Sequence, residues 1–376
     1  MAPGKKLGLI VNPIAGMGGA VGLKGTDGEH TIQKALDLGA TRIAGLKAVE
    51  ALQALSSVHG QFSLLTYPFE MGEEASRQCS FDPTVLGKVE PGRTSASDTR
   101  RACEEMLKNA VDLLLFVGGD GTARDIYDSV RQEVPVLGVP SGVKIHSGVF
   151  GITPRKTGQL VAEFLQGHAK LRDGEVMDID EDAAREGRLS AKLFGYLRVP
   201  YSEGLIQSTK SESSSALEES QSQSILAGYV AELMEDDWLY ILGPGTTVKA
   251  LANRLGTSKT LLGVDVVNKG RTIASDVNEA ELLQMIERKK AKIIVSPIGR
   301  QGFIFGRGNQ QISPRVIRKV GVENVLVIST PNKLATVQIG KPLLVDTGDE
   351  AVDKMLSGYR RVITGYREEA VVKVGT

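Results

Sequence analysis

A chain of 376 residues with 45 basic and 45 acidic side chains carries no net charge, so no global positive field draws it to nucleic acid. The length favours two domains, and a hydrophobic content of 41% is enough for packed cores. Two cysteines, Cys79 and Cys103, are too few for a disulfide framework, and the first apolar run, Leu7–Val11, is too short to span a membrane. These features predict a cytoplasmic protein without a nucleic-acid or membrane partner.

The first 150 residues alternate apolar runs with stretches of helical periodicity, and we assign residues 1–150 to one α/β domain. Few aromatic residues and 43 glycines are typical of aliphatic sheets with glycine-rich ligand loops. The alternation predicts a parallel sheet with helices on both faces, whose ligand loops share the rim at the carboxyl ends of the strands. The expected strands are Leu7–Val11, Phe62–Tyr67, Leu113–Val117 and Val134–Val139, and the expected helices are Arg42–Leu55, Met71–Cys79, Thr99–Ala110 and Ala123–Gln132.

A glycine-rich loop follows the first strand, which ends at Asn12 and Pro13 because proline cannot donate a ladder hydrogen bond. Gly16, Gly18 and Gly19 favour a loop that contacts the phosphates of a nucleotide, with Asn12 at its start. The sequence therefore predicts a first phosphate-binding segment at this rim.

A dinucleotide fingerprint is the alternative for this loop, and it would indicate an NAD-dependent oxidoreductase. Val21 stands where the fingerprint requires its third glycine, and the Asn-Pro start differs from a Rossmann turn. We therefore favour the phosphate loop. Lys24, further along, is either a cation for phosphate or a solvent-exposed lysine.

The central motif is Gly118-Gly119-Asp120-Gly121-Thr122, placed between a strand buried on both faces and a helix. Such a turn aims backbone N–H groups at a phosphate, and glycine lacks the Cβ atom that would keep the phosphate away. Thr122 can cap the helix or contact a phosphate oxygen. Asp120 would repel a phosphate unless it takes a proton from an attacking hydroxyl or holds a metal ion. The alternative is that Asp120 only caps the helix.

The third loop at this rim follows a short apolar strand and contains Ser141, Lys144 and His146 between glycines. Lys144 can hold a phosphate as a point charge or be merely exposed. His146 can act as an acid or a base, or lie at the surface without a role. We expect this loop to converge with the Asn12 loop and the Asp120 loop on one cleft.

The three motifs together resemble a known superfamily. Gly118–Thr122 is similar to the signature of NAD kinases, diacylglycerol and sphingosine kinases, and phosphofructokinases, and Asn12–Gly16 resembles the Asn-Pro-x-Ser-Gly run of the lipid kinases. Val136–Gly142 resembles the strand and Gly-Asn/Thr-x-Gly loop of NAD kinases. The resemblance covers roughly residues 5–155 and is closest to ATP- or polyphosphate-dependent NAD kinase-like proteins, including those named for acetoin catabolism.

Residues 151–376 are assigned to a second, mixed α/β domain, and the sequence leaves open whether its tail packs back on the first domain. Gly243, Gly245, Thr246 and Thr247 lie between the strand Trp238–Leu242 and a helix, which repeats the strand, loop and helix order of an anion site. They stand where NAD kinases carry a Gly-Ser-Thr-type loop, so the resemblance implies a phosphate or nucleotide contact.

Other segments of this region carry weaker signals. Arg300 and Arg307, in a glycine-rich loop, suit recognition of phosphate and of a base or ribose. The Ser- and Glu-rich stretch Ser211–Ser220 is expected to be exposed, either as a solvated helix start, which we favour, or as a lid. The expected strands are Glu175–Asp182, Lys192–Val199, Lys292–Ser296 and Val325–Ser329, and the expected helices are Thr157–Leu165, Ile225–Met234 and an arginine-rich helix near Tyr359–Arg361.

The resemblance implies a small-molecule kinase in which a hydroxyl of NAD attacks the terminal phosphoryl group of ATP or polyphosphate to give NADP. It implies Mg²⁺ as the ion, with unknown ligands, and Asp120 as the catalytic group. Two departures from the family pattern leave other metabolite hydroxyls open as acceptors. The dinucleotide motif expected near residues 160–205 is missing, and the second domain is α/β, whereas that of typical NAD kinases is β-rich.

A lipid acceptor is disfavoured, because no amphipathic basic helix stands out. The rival from another class is a nucleotide- or dinucleotide-binding regulator without catalysis, which could use the same loops. Small nucleotides are the expected partners in either case, and a homo-oligomer stays open.

Overall fold

The structure is a computed structural model that describes residues 4–23, 29–142, 145–179, 191–202, 205, 216–298, 302–338 and 341–376. The chain divides into two compact units. The first comprises Met1–Met17 and Gly25–Thr209, and the second comprises Gly18–Lys24 and Lys210–Thr376. The division after Thr209 differs from the boundary expected at residue 150.

The first unit is built on a five-stranded parallel sheet with the strand order β3–β2–β1–β4–β5. The strands are β1 (Lys5–Val11), β2 (Phe62–Thr66), β3 (Thr84–Val85), β4 (Leu113–Gly118) and β5 (Val136–Pro140). Every residue of β4 is buried, as its continuous apolar run predicts for an inner parallel strand. The parallel α/β fold expected for this region is confirmed.

The helices of this unit follow its strands in the predicted alternation. They are α1 (Glu29–Asp37), α2 (Ala44–Gln53), α3 (Glu73–Gln78), α4 (Ala96–Lys108), α5 (Asp120–Val130) and α6 (Pro154–Leu165). Helix α5 begins at Asp120, three residues before the start expected from the sequence. The central motif therefore forms the first turn of the helix as well as the turn before it.

An antiparallel pair of strands, β6 (Lys170–Ile179) and β7 (Ala191–Tyr201), completes the first unit. Val176, Leu197 and Val199 from this pair are buried in the same apolar core as the parallel sheet. Burial of these side chains places the segment after residue 150 with the first unit, which explains why the unit ends later than expected.

The second unit contains a nine-stranded mixed sheet with the order β10–β9–β8–β11–β13–β15–β16–β14–β12. Its strands are β8 (Leu239–Leu242), β9 (Asp265–Asn268), β10 (Arg271–Ala274), β11 (Ala291–Val295), β12 (Phe303–Phe305), β13 (Val325–Ile328), β14 (Leu343–Val345), β15 (Gly358–Gly365) and β16 (Glu368–Gly375). Strands β8, β11 and β13 are parallel neighbours, so their carboxyl ends lie at one edge. The predicted mixed α/β architecture is confirmed.

The helices of the second unit are α7 (Ala216–Glu232), α8 (Thr246–Arg254), α9 (Glu279–Met285), α10 (Pro314–Val320), α11 (Pro331–Gln338) and α12 (Glu350–Leu356). The prediction of a helix near Tyr359–Arg361 is wrong, because these residues belong to β15. That strand pairs with β13 and β16, and its residues Val362 and Ile363 are buried. The tail thus extends the sheet of the second unit.

The short segment Gly18–Lys24 lies in the sequence between two parts of the first unit, but its contacts assign it to the second unit. The carbonyl oxygen of Ala20 accepts a hydrogen bond from the Glu279 N–H, at 3.3 Å, and Gly19 lies against Gln310.

Both cysteines are free thiols, as their number predicts. None of the helices in the described part of the chain combines the length and apolar composition needed to cross a bilayer.

Candidate functional site

The carboxyl ends of β1 and β4 are joined directly by side chains of the predicted loops. The Asn12 side-chain amide donates to Thr122 Oγ1 at 2.9 Å, and the Asn12 backbone N–H donates to the Val117 carbonyl oxygen at 3.0 Å. Because β1 and β4 are parallel neighbours, the residues that follow them meet at one edge. Thr122 thus holds the first loop in place and does not cap the helix.

The loop after β5 is fastened to both of the others. The Ser141 hydroxyl donates to the Ala15 carbonyl oxygen at 3.0 Å, and the Ser141 N–H donates to the Gly118 carbonyl oxygen at 2.9 Å. Gly16 lies directly against the Ser141 carbonyl. The predicted convergence is therefore confirmed for Asn12, Gly16, Gly118 to Thr122 and Ser141.

The other predicted residues belong to the second unit or lie outside the described residues. Gly18 and Gly19 belong to the second unit. Lys144 lies outside the described residues, as does Arg300. The Arg307 guanidinium lies over the Phe303 ring, 4.3 Å from its centroid, and burial lowers its pKa to about 10. Arg307 is only 4% exposed, so it packs in the interior of the second unit.

The carboxylate of Asp120 is buried, with 5% exposure, and accepts four hydrogen bonds. The backbone N–H groups of His146 and Ser147 donate to its two oxygens at 2.7 and 3.0 Å. The Ser147 hydroxyl donates to Oδ1 at 2.7 Å. His146 Nδ1 lies 3.1 Å from Oδ2. Asp120 therefore anchors the loop after β5. This anchoring role cannot be inferred from the position of Asp120 in the sequence.

His146 forms a carboxylate–imidazole pair with Asp120. A carboxylate can only accept, so the ring nitrogen that faces it, Nδ1, carries a hydrogen. In the neutral ring Nε2 is then left as an acceptor, and the side chain is 26% exposed. This is the arrangement in which a carboxylate orients an imidazole for proton transfer. Ser147, which sequence reasoning missed, carries no local signal because its partner lies 27 residues away.

The first turn of α5 is suited to an anion. Its N-cap residue, Gly119, has no side chain and therefore provides no acceptor for the N–H groups of the first turn. Two of the glycines also have packing reasons. A Cβ atom on Gly118 would lie 2.5 Å from Thr122 Cβ, and one on Gly119 would lie 3.1 Å from Gly142 Cα. The glycine pattern therefore reflects close packing of the loops as well as access for a ligand.

The fit of Mg²⁺ to this site is poor when only protein ligands are counted. Both Asp120 oxygens are engaged by donors, and the described residues contain no group of three or more His, Cys, Asp or Glu side chains that could hold a metal ion. Mg²⁺ commonly binds through one or two carboxylates together with substrate phosphates. The described side chains do not form a metal site by themselves.

The predicted loop of the second unit also has the expected geometry. Gly245, with φ of 110°, is the N-cap of α8, and its N–H donates to the Leu261 carbonyl oxygen at 2.9 Å. Thr246 and Thr247 form the first turn, and Thr247 is 1% exposed. Sequence reasoning missed Lys333, whose ammonium donates to Thr247 Oγ1 at 3.3 Å from 86 residues away.

Comparison with known proteins gives two family matches. The model of the ATP-NAD kinase N-terminal domain matches residues 7–169, and that of the ATP-NAD kinase C-terminal domain matches residues 235–374. Together they cover most of the chain. Among curated proteins, none is similar enough in sequence to count as a relative.

Solved structures resemble the chain only distantly. One described as a putative diacylglycerol kinase from Bacillus anthracis str. Sterne is 17% identical, with 46% of this chain and 45% of that chain covered and a TM-score of 0.26. Another diacylglycerol kinase structure from the same strain is 13% identical over 55% and 70% of the two chains, with a TM-score of 0.22. A UDP-N-acetylglucosamine 2-epimerase is 10% identical over 93% and 82%, with a TM-score of 0.24. The chain spans less than half the length of the first of these structures, and the scores are too low to support a conclusion.

Proposed function

The chain belongs to the ATP-NAD kinase family, and on that premise we propose that it transfers a phosphoryl group to a hydroxyl of a small molecule. We propose NAD as the acceptor and ATP or polyphosphate as the donor. The supporting observation is the convergence of three strand-end loops around the uncapped first turn of α5. A cytoplasmic location, with nucleotides as the partners and no nucleic acid or membrane partner, is part of the same proposal.

Phosphoryl transfer requires stabilisation of charge and alignment of the attacking hydroxyl. In the proposed reaction the backbone N–H groups at the start of α5 stabilise the phosphate oxygens. Asn12 and Ser141 keep the neighbouring loops in register with that turn. When bound with the nucleotide, Mg²⁺ supplies further neutralisation of phosphate charge. Gly243, Gly245, Thr246 and Thr247 of the second unit are proposed as a further phosphate contact.

Asp120 is proposed as the group that receives the proton of the attacking hydroxyl. Its Oδ2 is shared between the His146 N–H and the His146 ring. The imidazole is the partner that can move, because its side chain is partly exposed and the other donors are backbone groups or the buried Ser147. Displacement of the ring frees one lone pair of Oδ2 for the substrate hydroxyl.

Replacement of Asp120 by Asn tests this assignment. Loss of a positioned base typically lowers the rate by about 10²–10⁴-fold, and we expect that loss in transfer from radiolabelled ATP or polyphosphate to NAD. His146→Gln, which keeps a donor near Oδ2, should lower the rate by less than about tenfold. A loss as large as that of Asp120→Asn would assign the base to His146 Nε2. A screen of metabolite hydroxyls in the same assay identifies the acceptor if NAD is inactive.

Stability must be measured in parallel, because Asn is a worse substitute here than its helix-capping ability suggests. The amide NH₂ of Asn would face donors from His146 and Ser147. We expect Asp120→Asn to lower the free energy of unfolding by roughly 1–3 kcal/mol. Ser147→Ala removes one of the same hydrogen bonds and keeps the carboxylate, so it should lower stability with a much smaller effect on rate.

A non-catalytic nucleotide-binding regulator is the second candidate, favoured by the full hydrogen bonding of Asp120. A carboxylate with that many donors serves equally well as a structural anchor. Under this alternative the wild-type protein binds ATP or NAD but transfers no phosphate to any acceptor in the screen. Nucleotide affinity measured by calorimetry, together with the transfer assay, separates the two.

A further inference from the structure

A cluster of polar side chains lies at the carboxyl ends of β8, β11 and β13 in the second unit. These strands are parallel neighbours, and they are followed by Thr246 and Thr247, by Ser296, and by Thr330 with Lys333. The crevice outside the carboxyl ends of parallel strands is where α/β sheets commonly bind ligands. The cluster belongs to the second unit, whereas Asp120 belongs to the first.

Lys333, in the first turn of α11, is the centre of the cluster. Its ammonium donates to Ser296 Oγ at 2.9 Å and to Thr247 Oγ1 at 3.3 Å. Among the residues that the structure describes, no carboxylate lies within ion-pair distance of this ammonium. Burial lowers the pKa of Lys333 to about 8, while the charge of Glu219 acts in the opposite direction. In the part of the chain that the structure describes, the side chain of Lys333 is therefore held by two neutral hydroxyls in surroundings that disfavour its charge.

The hydroxyls around it each accept a hydrogen bond, which leaves their O–H groups available to donate. Ser296 and Thr247 accept from Lys333, and Thr246 Oγ1 accepts from the Gln223 side chain at 3.4 Å. Within the described chain, none of the three has an acceptor for its own O–H. Ser296 and Thr247 are 2% and 1% exposed, so these hydrogens are costly to leave without a partner.

Backbone donors add to the same surface. Gly245, the N-cap of α8, offers no side-chain cap to the first turn, which begins with Thr246 and Thr247. Thr330 is the exception among the hydroxyls, because it donates to the Glu219 carboxylate at 2.8 Å and accepts from the Lys333 N–H at 3.3 Å. Glu219 is therefore occupied by Thr330 and by Gln223, which donates to it at 3.0 Å.

We infer that this cluster is a binding site for a phosphate group, in which Lys333 supplies the charge and Thr246, Thr247 and Ser296 supply hydrogen-bond donors. An ammonium, unspent hydroxyl hydrogens and an uncapped helix start all present donors, and a phosphate offers the acceptor oxygens that they lack. The inference rests on the phosphate contact proposed above for Thr246 and Thr247 and deepens it, because it assigns the charge to Lys333 and a further donor to Ser296. It can be tested in a protein that transfers no phosphate. The phosphate can belong to a nucleotide or to free pyrophosphate.

Titration of Lys333 in the full-length protein reports on this site alone. Lysines are dimethylated with ¹³C-formaldehyde, and the Lys333 resonance is assigned by its loss in Lys333→Arg. Inorganic pyrophosphate at saturation should raise the pKa of Lys333 by at least about one unit, because a bound anion favours the ammonium. An unchanged pKa would overturn the inference, whether or not pyrophosphate binds at the first unit. Glu219 is the charged group acting on Lys333, so Glu219→Gln should lower the starting pKa without abolishing the shift.

Affinity measurements with matched variants give a second readout. Lys333→Met should weaken pyrophosphate binding by about tenfold or more in calorimetry, since charge-assisted hydrogen bonds are lost. Lys319→Met removes an exposed lysine of α10 and should leave the affinity unchanged. Acetate tests whether any anion suffices, and ATP and NAD test which nucleotide carries the phosphate. Equal pyrophosphate affinity of wild type and Lys333→Met, or a pKa shift equally large with acetate, would contradict the inference.

Discussion

Gly16 is the residue on which the contact between the β1 and β5 loops depends most directly. Its φ of 77° lies in the left-handed region that favours glycine, and a Cβ atom there would overlap the Ser141 carbonyl oxygen. Two separate penalties therefore meet at one position. The backbone penalty belongs to any residue with this φ, whereas the steric penalty belongs to the convergence of the loops.

We expect Gly16→Ala to lower the free energy of unfolding by more than the roughly 1–2 kcal/mol that a left-handed backbone costs an L-residue. Gly60→Ala is the matched control, because Gly60 has φ of 79° and no atom within 4 Å of its would-be Cβ. Urea unfolding of both variants gives the comparison. Equal losses would show that the loops do not approach as closely as the structure indicates.

Lys333 gives the stability a pH dependence whose sign follows from proton binding. Its pKa is lowered from 10.5 to about 8, so between these pH values the unfolded chain holds more protons than the folded one. The free energy of unfolding should therefore rise with pH through this window, by up to about 3 kcal/mol from this group, and be lowest below pH 8. The stability of wild type minus that of Lys333→Met should increase from pH 7.5 to pH 10. A constant difference would mean that the ammonium is not desolvated.

At the scale of elements, the segment between α8 and β9 supports the start of α8. Asp265, fully buried, accepts from the Lys259 ammonium at 2.9 Å, from the Thr260 N–H at 2.9 Å and from the Asp276 N–H at 2.8 Å. The same segment provides the Leu261 carbonyl that binds the Gly245 N–H. A buried ion pair thus holds the segment that positions the predicted phosphate loop.

Asp265→Asn should destabilise the protein by about 3–5 kcal/mol, because it leaves the buried Lys259 ammonium without its counter-charge. Burial already lowers the pKa of Lys259, and Asp265 offsets that effect. The midpoint of urea unfolding measures the change. The control is Asp237→Asn at an exposed position, for which we expect the free energy of unfolding to change by less than about 0.5 kcal/mol. A small shift for Asp265→Asn would show that the lysine is solvated or neutral.

At the scale of the whole molecule, each unit is completed by a segment that lies outside the boundaries expected from the sequence. The first unit needs α6, β6 and β7, which lie after residue 150, to complete its core. The second unit includes Gly18–Lys24, whose Ala20 binds the start of α9. The units are therefore compact but not simple halves of the chain.

A pair of fragments tests this division. Fragment 1–209 contains the parallel sheet together with β6 and β7, so we expect one cooperative thermal transition. Fragment 1–150 lacks Val176, Leu197 and Val199 of the same core, and we expect it to melt at a much lower temperature or to lack a transition. Circular dichroism at increasing temperature measures both. Equal melting temperatures would place the boundary at residue 150 after all.

Much of the architecture could be predicted because a continuous apolar run in the sequence indicates a strand that is buried on both faces. Leu113–Val117, Lys292–Val295 and Val325–Ile328 all lie in inner parallel strands, as their composition indicates. The turn of Asp120 and that of Gly245 were also identified, because glycine and hydroxyl residues after a strand are a local signal. The helix expected near Tyr359–Arg361 is wrong because these residues are polar or exposed and the buried apolar residues of the strand begin only at Val362.

By itself the sequence determined the class of fold, the positions of the strand-end loops and membership of a kinase family, since each depends on residues that are neighbours in the chain. Only the tertiary structure decided what Asp120 binds, that Lys333 meets Thr247 and Ser296, and where the units divide. The physical reason is that a hydrogen bond or a buried charge depends on a partner 26 to 86 residues away. No local pattern encodes that partner, because it is brought into contact only when the sheets assemble.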